Sequence, residues 1–365
     1  MPGLVIPSIE KLVPYEGGKP VEELIREFGV SSAVKLASNE NPLGASPRGV
    51  AAAKQAIDEV FRYPDAAAFR LREKLAQRHG VTQSEVLHGH GSCELIELAI
   101  RTFATAEHHI VFTQPSFSMY SVAANAHGVP YTAVPVRDWR HDVDGLLDAI
   151  TSQTRLLLVD NPNNPVGSYL TKDEVTRLLR DVPEEVIVVM DEAYFEYADA
   201  NDYPDSLKLR DQRERLIVLR TFSKIYGLAG FRVGYGIGNA TLLSYMNRIR
   251  APFNVGWVSQ EAAIGALDDD EFVRQSQELN REQRAYLTKE LERRGFAVVP
   301  SQANFLLVDF QRPGRALYDA LLREGVIVRP FAALPSCLRI TVGTPDENSR
   351  LLAALDSATL DSSPR

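Results

Sequence analysis

The chain has 365 residues, 45% hydrophobic and 24% charged, the balance of a globular protein with a large core and room for two domains. A net charge of −8 leaves no basic excess for non-specific nucleic-acid binding, no apolar run reaches membrane-spanning length, and the two distant cysteines, Cys93 and Cys337, form neither a disulfide framework nor a metal-ligand spacing. The first ten residues lack the basic and apolar regions of a secretion signal, so the expected location is the cytoplasm.

Residues 1–37 read as an arm, with Gly17-Gly18, one short helical pattern over 21–28, and then Val34-Lys-Leu-Ala37. Ser38-Asn-Glu-Asn-Pro-Leu-Gly44 is rich in turn-forming and polar types. Ser46 as N-cap, with Pro47 after it, opens a helix whose Val50, Ala53, Ile57 and Val60 share one face; Arg62-Tyr-Pro-Asp65 ends it. From there strands and helices alternate. Glu85-Val-Leu-His88 runs into Gly89-His-Gly-Ser92 and a helix carrying Leu95, Ile96, Ala99 and Ile100. His109-Ile-Val-Phe-Thr113 runs into Gln114-Pro-Ser-Phe-Ser-Met-Tyr120 and a helix closed by Gly128. Arg155-Leu-Leu-Leu-Val-Asp160 runs into Asn161-Pro-Asn-Asn-Pro165, after which a capping box, Thr171-Lys-Asp-Glu174, starts another helix. Val186-Ile-Val-Val-Met-Asp191 and Leu216-Ile-Val-Leu219 complete the series.

These strands lack the apolar–polar alternation of a half-exposed sheet and are separated by helices. That pattern predicts an α/β fold with a mainly parallel sheet covered on both faces, and a ligand beyond the carboxyl ends of its strands. After about residue 265 a long charged helix over 270–294 precedes short strands at 296–299, 305–310, 326–329 and 337–342, with helices at 314–324 and 345–357. The expected division is an arm over 1–37, a large domain over 38–265 and a smaller α+β domain over 266–365.

The chemistry centres on Thr221-Phe-Ser-Lys-Ile-Tyr-Gly-Leu-Ala-Gly-Phe-Arg232, which follows a buried strand. An ammonium there is costly, so the lysine either turns back to solvent or is kept as an imine-forming amine. The hydroxyls of Thr221 and Ser223 and the guanidinium of Arg232 are suited to a phosphate. This combination points to pyridoxal phosphate held by Lys224. Such a cofactor needs a carboxylate at its ring nitrogen, and Asp191, with Tyr194 three residues on, is the candidate. Gly89-His-Gly-Ser-Cys-Glu94 opens a helix whose free N–H groups suit a phosphate; a glutamate stands where a dinucleotide fingerprint has its third glycine. Asn161-Pro-Asn-Asn-Pro165 places amides at another strand end, and Arg339 in Leu-Arg-Ile-Thr is a ready anion ligand if it faces inward. Taken singly, each has an ordinary reading as a cap, a turn or a solvent-facing side chain. Together they gather lysine, carboxylate, amide and phosphate cradle at neighbouring strand ends.

The motifs Ser38-Asn-Glu-Asn-Pro, Arg62-Tyr-Pro-Asp, Asn161-Pro-Asn-Asn-Pro, Asp191-Glu-Ala-Tyr, Thr221-Phe-Ser-Lys, Gly227-Leu-Ala-Gly-Phe-Arg232, Gln302-Ala-Asn-Phe305 and Cys337-Leu-Arg-Ile-Thr-Val-Gly-Thr-Pro345 occur in this order. The chain thereby resembles the histidinol-phosphate aminotransferases, of the fold type I pyridoxal-phosphate enzymes, from about Tyr15 to Leu355. The resemblance implies that Lys224 forms the imine and shuttles the proton, that Asp191 pairs with the ring nitrogen, and that Asn164 and Tyr194 bond the ring oxygen. It implies a phosphate site at Ser92, Cys93, Ser223 and Arg232, Phe117 stacked on the ring, and substrate contacts from Tyr15, Asn39, Arg329 and Arg339. Tyr63 would reach the phosphate from a partner subunit, making a homodimer. His90, Cys93 and Phe117 depart from the common family pattern, which often has asparagine, aspartate and tyrosine there.

The implied reaction moves an amino group between L-histidinol phosphate and 2-oxoglutarate, yielding imidazole acetol phosphate and glutamate, in histidine biosynthesis. No metal is called for. The alternatives are an aromatic amino-acid aminotransferase acting on phenylalanine or tyrosine and, more remotely, a phosphothreonine-type decarboxylase with the same cofactor site. A cofactor-binding regulator would need a helix-turn-helix domain, for which the sequence offers no segment. A dehydrogenase would rest on the glycine-rich turn alone.

Overall fold

The computed structural model describes residues 4–10, 12 and 17–360. In chain order its strands are β1 (Val34–Lys35), β2 (Val86–Gly89), β3 (His109–Gln114), β4 (Tyr131–Pro135), β5 (Thr154–Asp160), β6 (Ile187–Asp191), β7 (Leu216–Thr221) and β8 (Gly234–Gly238). Then come β9 (Ala297–Val298), β10 (Phe305–Asp309), β11 (Val326–Ile327), β12 (Arg329–Phe331) and β13 (Leu334–Thr341). Seven of them form one sheet in the order β2-β8-β7-β6-β5-β3-β4. All its pairings are parallel except those of β8, which runs antiparallel to both β2 and β7.

Successive strand residues serve two cores, which explains the missing alternation. Ile110, Phe112, Leu156, Leu158, Val189 and Leu219 pack under the helices Gly91–Phe103, Met119–Ala126 and Ala240–Ile249. Val111, Leu157, Val159, Val188, Met190 and Val218 pack on the other face with Val175, Leu178 and Leu179 of the helix Lys172–Asp181. Both faces are covered, so the inner stretches of the central strands, 156–159, 187–190 and 216–219, are apolar at every position. The expected caps are present: Ser46 Oγ accepts from the Gly49 N–H at 3.1 Å, and Thr171 with Glu174 closes the capping box.

Two strands of the seven-stranded sheet, β8 and β4, have no counterpart in the sequence reading. The strand β8 is Gly-Tyr-Gly-Ile-Gly, low in strand-forming types, and β4 is an edge strand bounded by Pro130 and Pro135. The glycines of β8 are what a close approach requires: a Cβ at Gly234 would lie 2.5 Å from the Ser92 backbone nitrogen.

A second, antiparallel sheet has the order β12-β13-β10-β9, and β1 pairs in parallel with β11. The single strand expected over 326–329 is thus split between two sheets. These strands pack with the helices Asp270–Arg293, Gly314–Arg323 and Pro345–Leu360 around a separate core that includes Leu306, Val308, Leu321, Ile340 and Leu351. The apolar face expected on the helix Pro47–Ala56 divides as well. Ala53 is buried, whereas Ile57 and Val60, beyond the helix end, lie exposed beside Phe61 and Tyr63.

Candidate active site

The carboxyl ends of β2, β3, β5, β6 and β7 and the inner edge of β12–β13 enclose a cavity of about 460 Å³. Lys224, three residues past the end of β7, lines it and donates from Nζ to the Ser38 carbonyl at 3.1 Å. Burial, and then the nearby Arg339 guanidinium, lowers its pKa from 10.5 to about 8. About a tenth of the amine is therefore neutral at pH 7, against well under a thousandth for an ordinary lysine.

Asp191 ends β6 and is only 3% exposed. Its Oδ2 accepts from the Tyr120 hydroxyl at 3.3 Å, while its Oδ1 is buried with no hydrogen-bond partner in the protein. Burial, reinforced by the neighbouring Asp160, raises this carboxyl to about 7. An orphaned buried oxygen calls for a donor, and a protonated heteroaromatic nitrogen bound in the cavity would supply one.

At the end of β2 the helix Gly91–Phe103 starts with Gly91 at φ 74°, and Ser92 and Cys93 of its first turn line the cavity with N–H groups free of helical partners. Arg232, at φ 55°, donates to the Ser223 hydroxyl at 3.2 Å and to the Ala229 carbonyl at 3.0 Å. A Cβ on Gly91 would lie 2.5 Å from an Arg232 terminal nitrogen, so glycine keeps this cradle open. Cationic guanidinium, hydroxyl and helix N-terminus form a donor set for a phosphate. Burial pushes the Cys93 thiol up, so it sits there as a neutral group. His90 is directed elsewhere: its ring nitrogen lies 3.3 Å from the Asn254 carbonyl oxygen. Thr221, which the sequence groups with the phosphate donors, bonds its own loop, its hydroxyl donating to the Val233 carbonyl at 3.3 Å.

Phe117 borders the cavity and meets Tyr120 edge-on at 6.1 Å. The Asn164 side-chain oxygen accepts from Arg339, whose other terminal nitrogen donates to the Ala37 carbonyl at 2.6 Å. Tyr194 accepts from Asn39 Nδ2 at 2.9 Å, and burial raises its phenol to about 12. Asn39 is held by Thr341 through bonds of 2.9 and 3.0 Å. Arg329, opposite Arg339 in the register of β12 and β13, also lines the cavity. Tyr63 does not: it is 82% exposed and stacks on Phe253 at 4.7 Å. Tyr15 lies outside the described residues.

Sequence reasoning passed over three participants: the Ser38 carbonyl, Tyr120 and Asp160. A backbone carbonyl carries no sequence signal. Asp160 does carry one, being an aspartate that ends an apolar strand as Asp191 does. Its register partner in β6 is Asp191.

The family profile described as "Aminotransferase class I and II" matches residues 31–355. The chain is 48% identical to a "Histidinol-phosphate aminotransferase" of Anaeromyxobacter sp. (strain Fw109-5), over 96% of this chain and 98% of that protein. It is 45% identical to "Histidinol-phosphate aminotransferase 2" of Pseudomonas aeruginosa, over 96% of each. Among solved structures, histidinol-phosphate aminotransferase from Sinorhizobium meliloti in complex with pyridoxal-5'-phosphate superposes with a TM-score of 0.91 at 29% identity, covering 99% of both chains.

Proposed function

The chain belongs to the class I and II aminotransferases, of fold type I, and from that premise we propose that it transfers the amino group between L-histidinol phosphate and 2-oxoglutarate with pyridoxal phosphate as cofactor. The observation that carries this reading is a single cavity holding a lysine that gives up its proton at about 8 and an aspartate with an unpartnered oxygen. The substrate follows the curated relatives, and two guanidiniums in the same cavity suit a substrate that brings a phosphate in one half-reaction and a carboxylate in the other.

Bound pyridoxal phosphate supplies the electron sink for the bond broken at the amino-bearing carbon. Asp191 Oδ1 holds the proton on the ring nitrogen. Lys224 would hold the cofactor's aldehyde and, as a neutral amine, would serve as general base and acid for the proton at the substrate carbon. Asn164 and Tyr194 orient the ring oxygen, and Phe117 covers the ring face. The N–H groups of Ser92 and Cys93, with Ser223 and Arg232, fix the phosphate. Arg339, Arg329, Asn39 and Tyr15 bind the substrate.

The same reading divides the chain into an arm over 1–37, a large domain over 38–265 and a small domain over 266–365, a division supported by the separate cores of the two sheets. It makes the enzyme a homodimer in which Tyr63 serves the partner's site. Ile57, Val60, Phe61 and Phe69, near Tyr63 in sequence, and Phe253, which stacks on it, are all exposed, and exposed apolar side chains of this size are suited to burial against a second copy. The same reading puts the enzyme in the cytoplasm, where the free thiols of Cys93 and Cys337 fit a reducing environment.

Single-turnover conversion of the loaded enzyme with histidinol phosphate, phenylalanine, tyrosine and phosphothreonine tests the assignment. Fast reaction with phenylalanine and none with histidinol phosphate would overturn it.

A further inference from the structure

We propose that Asp160 is a second ring-side carboxylate: it fixes the backbone at Phe117 and Asn164 on either side of the ring site and adds its negative charge to that of Asp191 beneath the ring nitrogen. The proposal rests on the cofactor assignment above and concerns a residue to which that assignment gives no part.

Three donors from two loops converge on this one side chain. Its Oδ2 accepts from the Asn164 N–H at 2.8 Å and the Phe117 N–H at 3.3 Å, and its Oδ1 accepts from Asn163 Nδ2 at 3.1 Å. The loop after β3 and the loop after β5 are thereby tied to a single planar group. His141 braces the strand end from behind. Its Nε2 donates to the Asp160 carbonyl at 2.8 Å, so the other ring nitrogen accepts from the Thr113 hydroxyl at 2.7 Å. Burial keeps that imidazole neutral down to about 4, so it brings no positive charge.

Asp160 is 3% exposed, and among the described residues no lysine or arginine lies within ion-pair distance of it. The acidic Asp191 stands directly opposite it in the register of β5 and β6. Burial among neutral donors raises both carboxyls to about 7, and the neighbouring Asp160 adds to the shift at Asp191. Such an arrangement opposes folding unless a cation faces it. Both carboxylates line the cavity, and a protonated ring nitrogen there is the cation that would offset them.

The test compares two probes on the apoprotein: pyridoxal phosphate and its analogue with carbon in place of the ring nitrogen. Asp160→Asn keeps the shape and removes the charge. We expect its dissociation constant for pyridoxal phosphate to rise roughly tenfold, the analogue's to rise clearly less, and the melting temperature of the apoprotein to stay level or rise. Equal losses for both probes, or unchanged affinity for pyridoxal phosphate with a lower apoprotein melting temperature, would overturn the proposal. If Asp160→Asn does not fold, Asp160→Ser carries the same comparison, since its hydroxyl still accepts one N–H and bears no charge. A parent chain that bound no pyridoxal phosphate would instead refute the cofactor assignment.

Discussion

Gly91→Ala separates the phosphate cradle from ordinary backbone strain. Gly91 has φ 74°, and a methyl group there would stand 2.5 Å from an Arg232 terminal nitrogen. The left-handed conformation costs alanine about 1–2 kcal/mol, which lowers the melting temperature by a few degrees without touching a ligand. The clash acts differently, because Arg232 must leave its place beside Ser223 Oγ. A displaced guanidinium forfeits a charge-assisted bond to the phosphate of about 1.5–3 kcal/mol, so the dissociation constant for pyridoxal phosphate should rise roughly 10- to 150-fold. Gly80→Ala is the matched control: its φ is 62°, and nothing lies within 4 Å of an added Cβ. It should show the melting loss and no change in affinity. Fluorescence titration of both apoproteins with pyridoxal phosphate, beside their melting curves, decides the matter. If Gly91→Ala binds as tightly as Gly80→Ala, the cradle argument is wrong.

Two further outcomes test the remaining parts of the site. Tyr63→Ala and Lys224→Ala, each impaired alone, should regain activity when mixed and allowed to exchange subunits, because one hybrid site then has both side chains; no recovery would exclude a shared site. Arg339→Gln should weaken both half-reactions and, by removing a positive charge beside Lys224, move the pH at which the apoprotein amine captures pyridoxal phosphate upward from about 8. Capture needs the neutral amine, so its rate rises with pH through that value, and an unchanged midpoint in the variant would disprove the coupling.

How much of this was legible in the sequence depended on how local each signal was. Lys224 and Asp191 each follow an apolar run, so a reader of short segments finds both. The inward direction of Arg339 was not legible, because a strand offers two faces. Only its register with Leu307 and Arg329 puts the guanidinium against Asn164 and Ala37. Asp160 has the same local signal as Asp191, yet its meaning appears only when the strand order sets β5 beside β6. The antiparallel β8 escaped because its glycines, which allow close contact with the helix start at Gly234 and with β7 at Gly238, erase the strand propensity by which it would be read. The helix face at Ile57 and Val60 was legible as apolar but not as external.

The charges in the cavity are sorted by position, and the sorting sets the proton chemistry. Arg232 and a helix N-terminus occupy one part, Arg329 and Arg339 another, and Asp160 and Asp191 lie together at adjoining strand ends. Burial, and then the Arg339 guanidinium, let Lys224 lose its proton at about 8, while burial, and then Asp160, let Asp191 keep one to about 7. Both shifts bring a group toward the pH at which it can give and take a proton with little bias. The two are not fixed alike. The carboxylate pair belongs to the frame of the large sheet, whereas Arg339 is the proposed partner of the substrate anion. An anion bound there offsets the guanidinium charge, and the proton affinity of Lys224 then rises. With the roles proposed above, the amine would be a stronger base with substrate in place than in the free enzyme, so substrate binding would itself ready the proposed proton acceptor.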